Sequence, residues 1–256
     1  MYIWCRKKRA DVPNKHKRMN KKSRYVIVIP TYNHKKHLRR VVENTLQLGL
    51  PVFAVDDGST DSTPEILNSI SGLTAIRHEK NLGKGAALLT GFAAVAPKAD
   101  WAVTLDADGQ HNPEEILSLI QAIPDGKRPL VIGKRGGMEK QNVPWTSRWG
   151  REFSNFWVWA ACGRWFSDSQ SGFRIYPLPE TTHLGTQAKR YQFEVEILIR
   201  AVWHDFPIIE VPVHVHYGRR EERVSHFRPW LDFWRNTRTF ARLVAMRLFI
   251  PLRLRK

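Results

Sequence analysis

Through its first half the chain alternates short, nearly uninterrupted apolar runs with helix-periodic segments, and few folds accept that alternation. Tyr25–Pro30, Val52–Asp56, Leu73–Arg77, Trp101–Asp106 and Leu130–Gly133 are rich in β-branched residues, as strands buried on both faces of a parallel sheet are. Helical spacing fills the gaps at Leu38–Leu48, Thr63–Ile70, Ala86–Val95 and Glu114–Ile123. The last of these opens with Asn112 as cap, Pro113 at the first helical position, and then two acids. The pattern predicts an α/β domain: an open, mostly parallel sheet flanked by helices on both faces. Ligands of such sheets bind beyond the carboxyl ends of the strands.

The second half is less regular. Pro144–Gly163 reads as an aromatic-rich helix, Ser171–Tyr176 and Ile208–Tyr217 as strands, and Tyr191–His204 as the helix between them. No repeat or low-complexity linker divides the chain, so residues 25–217 are expected to pack as one unit. A basic tail, 1–24, precedes it, and a basic loop with an amphipathic C-terminal segment, 218–256, follows.

Charge separates these three parts. The 256 residues carry a net +17. Ten lysines and arginines against Asp11 give the first 24 residues +9, and eleven against Glu221, Glu222 and Asp232 give the last 39 residues +8. The span between is neutral. A neutral body with two basic ends suits a polyanionic surface. The C-terminal end is apolar as well as basic. On a helix, positions 230, 233, 234, 237, 241, 244, 245 and 248 share one face, while Arg235, Arg238 and Arg242 lie on another. Tryptophan and arginine so arranged suit the headgroup layer of an anionic membrane, and the alternative is a helix packed on its own domain. Nucleic acid is not the expected partner, because the basic residues sit at the chain's two ends and not in an aromatic-lined groove. Arginines interrupt every run approaching a membrane span, no apolar segment follows the N-terminal charges as in a secretory signal, and Cys5 and Cys162 form no disulfide framework. The expected location is cytoplasmic, peripheral at the membrane's cytoplasmic face.

The chemistry-bearing residues sit where the first-half strands end. Pro30-Thr31-Tyr32-Asn33, Asp56-Asp57-Gly58-Ser59-Thr60-Asp61 and Asp106-Ala107-Asp108-Gly109-Gln110-His111 follow three of the strands. Four carboxylates, Asp56, Asp57, Asp106 and Asp108, thus reach one edge, where they repel unless a cation or donors join them. Asp106 and Asp108 flank one residue and can face a common point, and Gln110 adds a neutral oxygen, a set suited to Mg2+ or Mn2+. Each turn also has a plain structural reading as an Asp-Gly turn or a helix cap. Asn81-Leu82-Gly83-Lys84-Gly85 opens a helix and suits either a phosphate cradle or close helix–sheet packing.

IPTYN, DDGSTD, NLGKGAAL, LDADGQHNPEE and DSQSGFRIYP, in this order, resemble the inverting family 2 glycosyltransferases of the A-type fold. Among them the chain is most similar to the dolichyl- or polyprenyl-phosphate mannose synthase branch, over roughly residues 25–217. That resemblance implies a nucleoside-diphosphate sugar donor, with Pro30, Tyr32, Asn33, Val55 and Asp57 around its base and ribose. It implies a divalent metal on Asp106, Asp108 and Gln110, with Ala107 behind the nucleotide. Arg135, Arg148 and Arg151 would bring positive charge to a lipid acceptor, and Ser171-Gly172-Phe173-Arg174 would face the sugar. His34 departs from the acid common at that position in the branch, which leaves the donor's base open.

The acceptor divides two mechanisms. A lipid phosphate is already anionic and needs cations, for which Arg135, Arg148, Arg151, Arg174, Arg219 and Arg223 are candidates. A hydroxyl needs a carboxylate base, for which Asp168, Glu194 and Glu196 are candidates. The aromatic face Trp145, Trp149, Phe153, Phe156, Trp157 and Ala160 is either core or shared with a lipid chain. His214, His216 and His226 alternate as strand residues do and do not read as a metal site.

Overall fold

The computed structural model describes residues 23–136, 145–215 and 229–255, with only the backbone of 145–149 and 229–235. Seven strands form one sheet: β1 (Tyr25–Thr31), β2 (Val52–Asp56), β3 (Leu73–Arg77), β4 (Trp101–Thr104), β5 (Leu130–Arg135), β6 (Arg174–Pro177) and β7 (Ile208–Val213), in the order β3-β2-β1-β4-β6-β5-β7. All neighbours run parallel except β6, which is antiparallel to both β4 and β5. The mostly parallel sheet expected from the sequence is therefore present.

Helices α1 (Leu38–Leu46), α2 (Thr63–Asn68), α3 (Lys84–Val95), α4 (Glu115–Gln121), α5 (Trp145–Cys162), α6 (Phe193–Trp203), α7 (Pro229–Phe249) and α8 (Leu252–Arg255) cover it. The two-residue period of a strand splits β1 between two cores. Ile27 and Ile29 pack with Leu38, Val42, Ile116 and Leu119 of α1 and α4. Val26 and Val28 lie on the other side, in the core built with Phe92, Val158, Leu198, Phe240 and Leu243 of α3, α5, α6 and α7.

Two features of this plan place the site. Because β6 is antiparallel, its first residue lies beside the last residue of β4 and the middle of β5: Arg174 pairs with Thr104 and with Ile132. Residues 171–174 thereby reach the same sheet edge as the strand ends that carry aspartates. Strand β4 also stops at Thr104, two residues before the expected end. Its hydroxyl donates to the Gly172 carbonyl at 2.6 Å, and the chain then leaves the sheet for the Asp106–Gly109 turn.

The C-terminal helix packs on the domain by a stripe other than the apolar face read from the sequence. Phe240 and Leu243 are buried, whereas Ala241, Ala245 and Leu248 of the expected face are exposed. Two contacts set the rotation. Trp157 of α5 stacks on Phe240 at 6.3 Å, and Arg242 points inward to the buried carboxylate of Glu196 at 2.7 Å. Trp230, Phe233, Trp234 and Arg235 fall among the backbone-only residues, and the basic tail 1–22 lies outside the described residues. Among the described residues no helix is long and apolar enough to cross a membrane.

Candidate active site

The loops after β1 and β2 are tied to one another before any ligand is considered. Asn33, in a left-handed conformation at φ 52°, accepts from the amides of Thr60 and Asp61 at 2.8 and 3.3 Å, and its own amide donates to Ser59 Oγ at 2.9 Å. Asp61 accepts from the Thr63 amide at 3.0 Å and so caps α2.

Asp56 and Asp57 do not join the acidic pair. Asp56 accepts the Ser59 amide at 3.0 Å and pairs with Arg77 at 3.3 Å. Asp57 accepts from the amides of Leu82 and Gly83 at 2.9 and 2.7 Å and contacts His78 Nδ1 at 2.8 Å. A carboxylate in an apolar strand end needs such partners, and these amides supply them. The same bonds correct the phosphate-cradle reading of 81–85: two amides at the start of α3 are occupied by Asp57, and that of Ala86 donates to the Lys189 carbonyl at 2.9 Å. The glycines there serve packing. A Cβ at Gly85 would lie 2.6 Å from Phe193 Cβ.

Asp106 and Asp108 do share one turn. Lys84, at the first position of α3, reaches across to Asp106, with Nζ 2.7 Å from Oδ1 and 2.9 Å from Oδ2, and pairs also with Glu194 at 2.8 Å. Burial works to raise Asp106, but the Lys84 charge and hydrogen bond overcome it and hold the carboxyl below its usual range. Burial would lower Lys84, yet its two carboxylate partners raise it further. Gly172 of β6's approach makes this possible: a Cβ there would stand 2.6 Å from Lys84 Nζ and 2.8 Å from Asp106 Oδ2.

Asp108 lacks such a partner lysine. Burial, and then the neighbouring Asp106, push its carboxyl up to about 6, while the Gln110 amide donates to Oδ1 at 3.0 Å. A hard divalent cation held by Asp106, Asp108 and Gln110 fits this environment, since it supplies the missing counter-charge. Among the described residues no group of three or more His, Cys, Asp or Glu side chains is placed to hold a metal ion, at this turn or away from it. His111 is buried against Phe173, ring centroids 4.9 Å apart, and burial depresses it to about 4, so it is neutral.

The sugar-facing and acceptor-facing candidates divide sharply. Arg174 is fully buried and donates to the carbonyls of Ser169, Ser171 and Glu194, so it braces the 169–174 turn and does not face the site. Asp168 is buried and held by Arg135 through Nε at 2.7 Å and Nη2 at 2.8 Å. Burial would raise Asp168, but this forked pairing holds it low. Glu196 is also fully buried, pairing with Arg200 and Arg242 and accepting the Ala188 amide at 2.8 Å. Neither acid is placed as a base, because each charge is spent on a cation.

Arg151 lies close enough to Asp168 to lower its pKa, and its buried Nε has no hydrogen-bond partner among the described residues. The side chain of Arg148, and all of Arg219, Arg223, His216 and His226, lie outside the described side chains. His214 is exposed and pairs with Glu115 at 2.8 Å. Of the nucleotide candidates, Pro30 and Ala107 are buried at the strand ends, Val55 belongs to the sheet's core, and Tyr32 is half-buried at the edge. Lys84 is the residue that sequence reasoning did not single out. The signal was the unbalanced charge of Asp106, which a lysine within NLGKG can answer.

The chain is similar to several known proteins. A UDP-N-acetylglucosamine–dolichyl-phosphate N-acetylglucosaminyltransferase of Methanococcus voltae is 35% identical over 213 residues, 75% of this chain and 85% of the relative. A polyprenol monophosphomannose synthase of Mycolicibacterium smegmatis is 29% identical over 226 residues, 79% of this chain and 80% of the relative. Among solved structures, the glucosyl-3-phosphoglycerate synthase of Mycobacterium tuberculosis with uridine diphosphate superposes with a TM-score of 0.65 at 22% identity, over 90% of this chain and 82% of that one. Other structures of that synthase hold Mg2+ with uridine diphosphate, or Mn2+ with UDP-glucose and phosphoglyceric acid. Residues 26–191 match the glycosyl transferase family 2 domain, and the chain belongs to that family of glycosyltransferases.

Proposed function

We propose that the enzyme moves a sugar from a nucleoside-diphosphate donor to a polyprenyl phosphate, at the cytoplasmic face of an anionic membrane. The observation that carries the choice of acceptor is the state of the three candidate bases. Asp168, Glu194 and Glu196 are each ion-paired to a lysine or arginine inside the protein. A hydroxyl acceptor needs a carboxylate that can take its proton, whereas a phosphate monoester attacks as the anion it already is. Arg151, with its unpartnered Nε, adds positive charge beside the Arg135–Asp168 pair, as an anionic acceptor requires. The named acceptors of two relatives, dolichyl phosphate and polyprenol phosphate, favour the same reading.

Asp106, Asp108 and Gln110 would hold Mg2+ or Mn2+, which when bound supplies charge neutralisation to the departing diphosphate. Lys84 keeps Asp106 ionised for that role. The loops after β1 and β2, cross-braced by Asn33, would seat the nucleoside. Displacement at the anomeric carbon then proceeds in line and inverts it. The test offers labelled nucleotide sugars with Mn2+ and, separately, polyprenyl phosphate and the unphosphorylated polyprenol. Labelled lipid is expected from the phosphate alone. Transfer to the alcohol with none to the phosphate would overturn this reading.

A further inference from the structure

Apolar side chains are exposed where α5, α7 and α8 end. Phe156 and Trp159 stand on the outer face of α5, 5.8 Å apart, and are 48% and 45% exposed. Trp165, just past that helix, is 58% exposed. Leu248 and Phe249, the last residues of α7, are 71% and 82% exposed. These segments meet at Arg247. Its Nη1 donates to the carbonyls of Trp159 and Ala160 at 2.9 and 2.8 Å, and its guanidinium lies against Gly163, where a Cβ would come within 2.8 Å. Arg255 of α8 donates in turn to the Arg247 carbonyl, which brings the exposed leucines of α8 to the same place.

The chemistry of the surround selects what covers this surface. Residues 156–165 and 233–256 contain no aspartate or glutamate, and Arg238 of α7 and Arg253 of α8 are exposed, while Arg164 and Arg255 donate to the protein's own carbonyls. A second copy would bring like charges together, and an acidic soluble partner would leave the tryptophans and leucines without apolar neighbours. An anionic bilayer answers both: headgroups for the arginines and acyl chains for the rings.

We propose that the ends of α5, α7 and α8 form a lipid-insertion surface, with Trp159 and Phe249 entering the boundary between headgroups and acyl chains. This rests on the membrane-linked reading of the function above, and assigns the apolar contact to the end of α5 together with the last part of the basic segment 218–256. The surface lies near the acceptor edge. Trp159 follows Arg151 by eight residues, about 12 Å along α5, a gap that a flexible polyprenyl chain spans.

The full chain and the Trp159→Ser/Phe249→Ser variant are to be sedimented with vesicles of phosphatidylcholine alone and of phosphatidylcholine mixed with phosphatidylglycerol. Both residues are exposed, so the variant is expected to keep its melting temperature and its binding of nucleoside diphosphate. Binding to mixed vesicles should fall on the order of tenfold or more, as loss of two partly inserted rings implies. Bromine-labelled acyl chains should quench less tryptophan fluorescence in Trp159→Phe than in the unaltered chain.

Unchanged sedimentation of the double variant would overturn the proposal. So would a lipid-free dimer that the double variant dissolves, since the face would then serve a second copy. The acceptor reading is checked apart, with polyprenyl phosphate dispersed in detergent. Transfer retained there by a variant that no longer sediments supports both readings. Sedimentation that depends on Trp159 and Phe249, without transfer to the lipid phosphate, would sink only the acceptor.

Discussion

Lys84 Nζ sits between the two oxygens of Asp106, 2.7 and 2.9 Å from them, and 2.8 Å from Glu194. One lysine thus balances the buried Glu194 and the half-buried Asp106, which is half of the acidic pair. Removing a partner from such a cluster leaves an uncompensated charge in the interior, with a cost of about 3–5 kcal/mol. Lys84→Met is therefore expected to lower stability by about that amount in urea unfolding. Adding Glu194→Gln should recover part of the loss, because one of the two stranded charges is then gone. A single substitution as stable as the unaltered chain would show that Lys84 is not the counter-charge.

How much of this was legible without coordinates differs from residue to residue. Strands β1, β2, β4 and β5 follow from β-branched runs, since burial on both faces leaves little choice of residue, whereas the edge strand β3, expected to be buried, is largely exposed. That Asp106 and Asp108 share one turn at the strand-end edge was legible from two acids flanking a single residue. Asp57 looked like a third acid at the same edge, but its hydrogen bonds go to amides 25 and 26 residues on, contacts with no local trace. Arg174 and Glu196 misled for a related reason. Charged residues within apolar runs look like site residues, and here carbonyls and cations from distant segments satisfy them. The C-terminal helix showed its amphipathicity but not its seam, which Trp157 and Glu196 decide from other elements.

The Arg135–Asp168 pair should behave as a positioning pair and not as a base. Asp168 is held below the usual carboxylate range, so its contribution to stability is full above the unfolded value and is lost as pH falls through the folded one. Asp168→Asn should weaken the protein at neutral pH by about 3–5 kcal/mol and flatten the acid limb of its stability curve. The pH–rate profile for transfer to a lipid phosphate should keep its shape. Loss of the acid limb in that profile would instead identify Asp168 as a proton acceptor.

Arg242 anchors α7 through Glu196, and the same carboxylate holds the Ala188 amide of the segment that packs on the start of α3. Arg242→Met is expected to loosen α7 with no change in the metal requirement for nucleotide binding. Hydrogen exchange should rise in residues 236–249 and in 184–190 together. Exchange confined to the helix would separate the two segments and refute the coupling.

Asp108 provides the most direct test of the acidic pair, because its pKa and its proposed role make opposite demands. Burial and the adjacent Asp106 carry it to about 6, well above the usual 3.8, so in the metal-free protein the fold favours the protonated form. Its contribution to stability is therefore full below about 4 and is lost as pH rises through 6. At neutral pH the ionised group costs on the order of 2–3 kcal/mol relative to an unstrained carboxylate. Asp108→Asn removes that cost. Without metal the variant is expected to melt higher than the unaltered chain at pH 7, with the gap closing as pH falls from about 6 toward 4. Added Mn2+ and nucleoside diphosphate should stabilise the unaltered chain, less so below pH 6 where protons compete for the same oxygens. The variant should lose that response along with turnover. Equal melting at pH 7, joined to an undiminished shift with Mn2+, would remove Asp108 from the metal site.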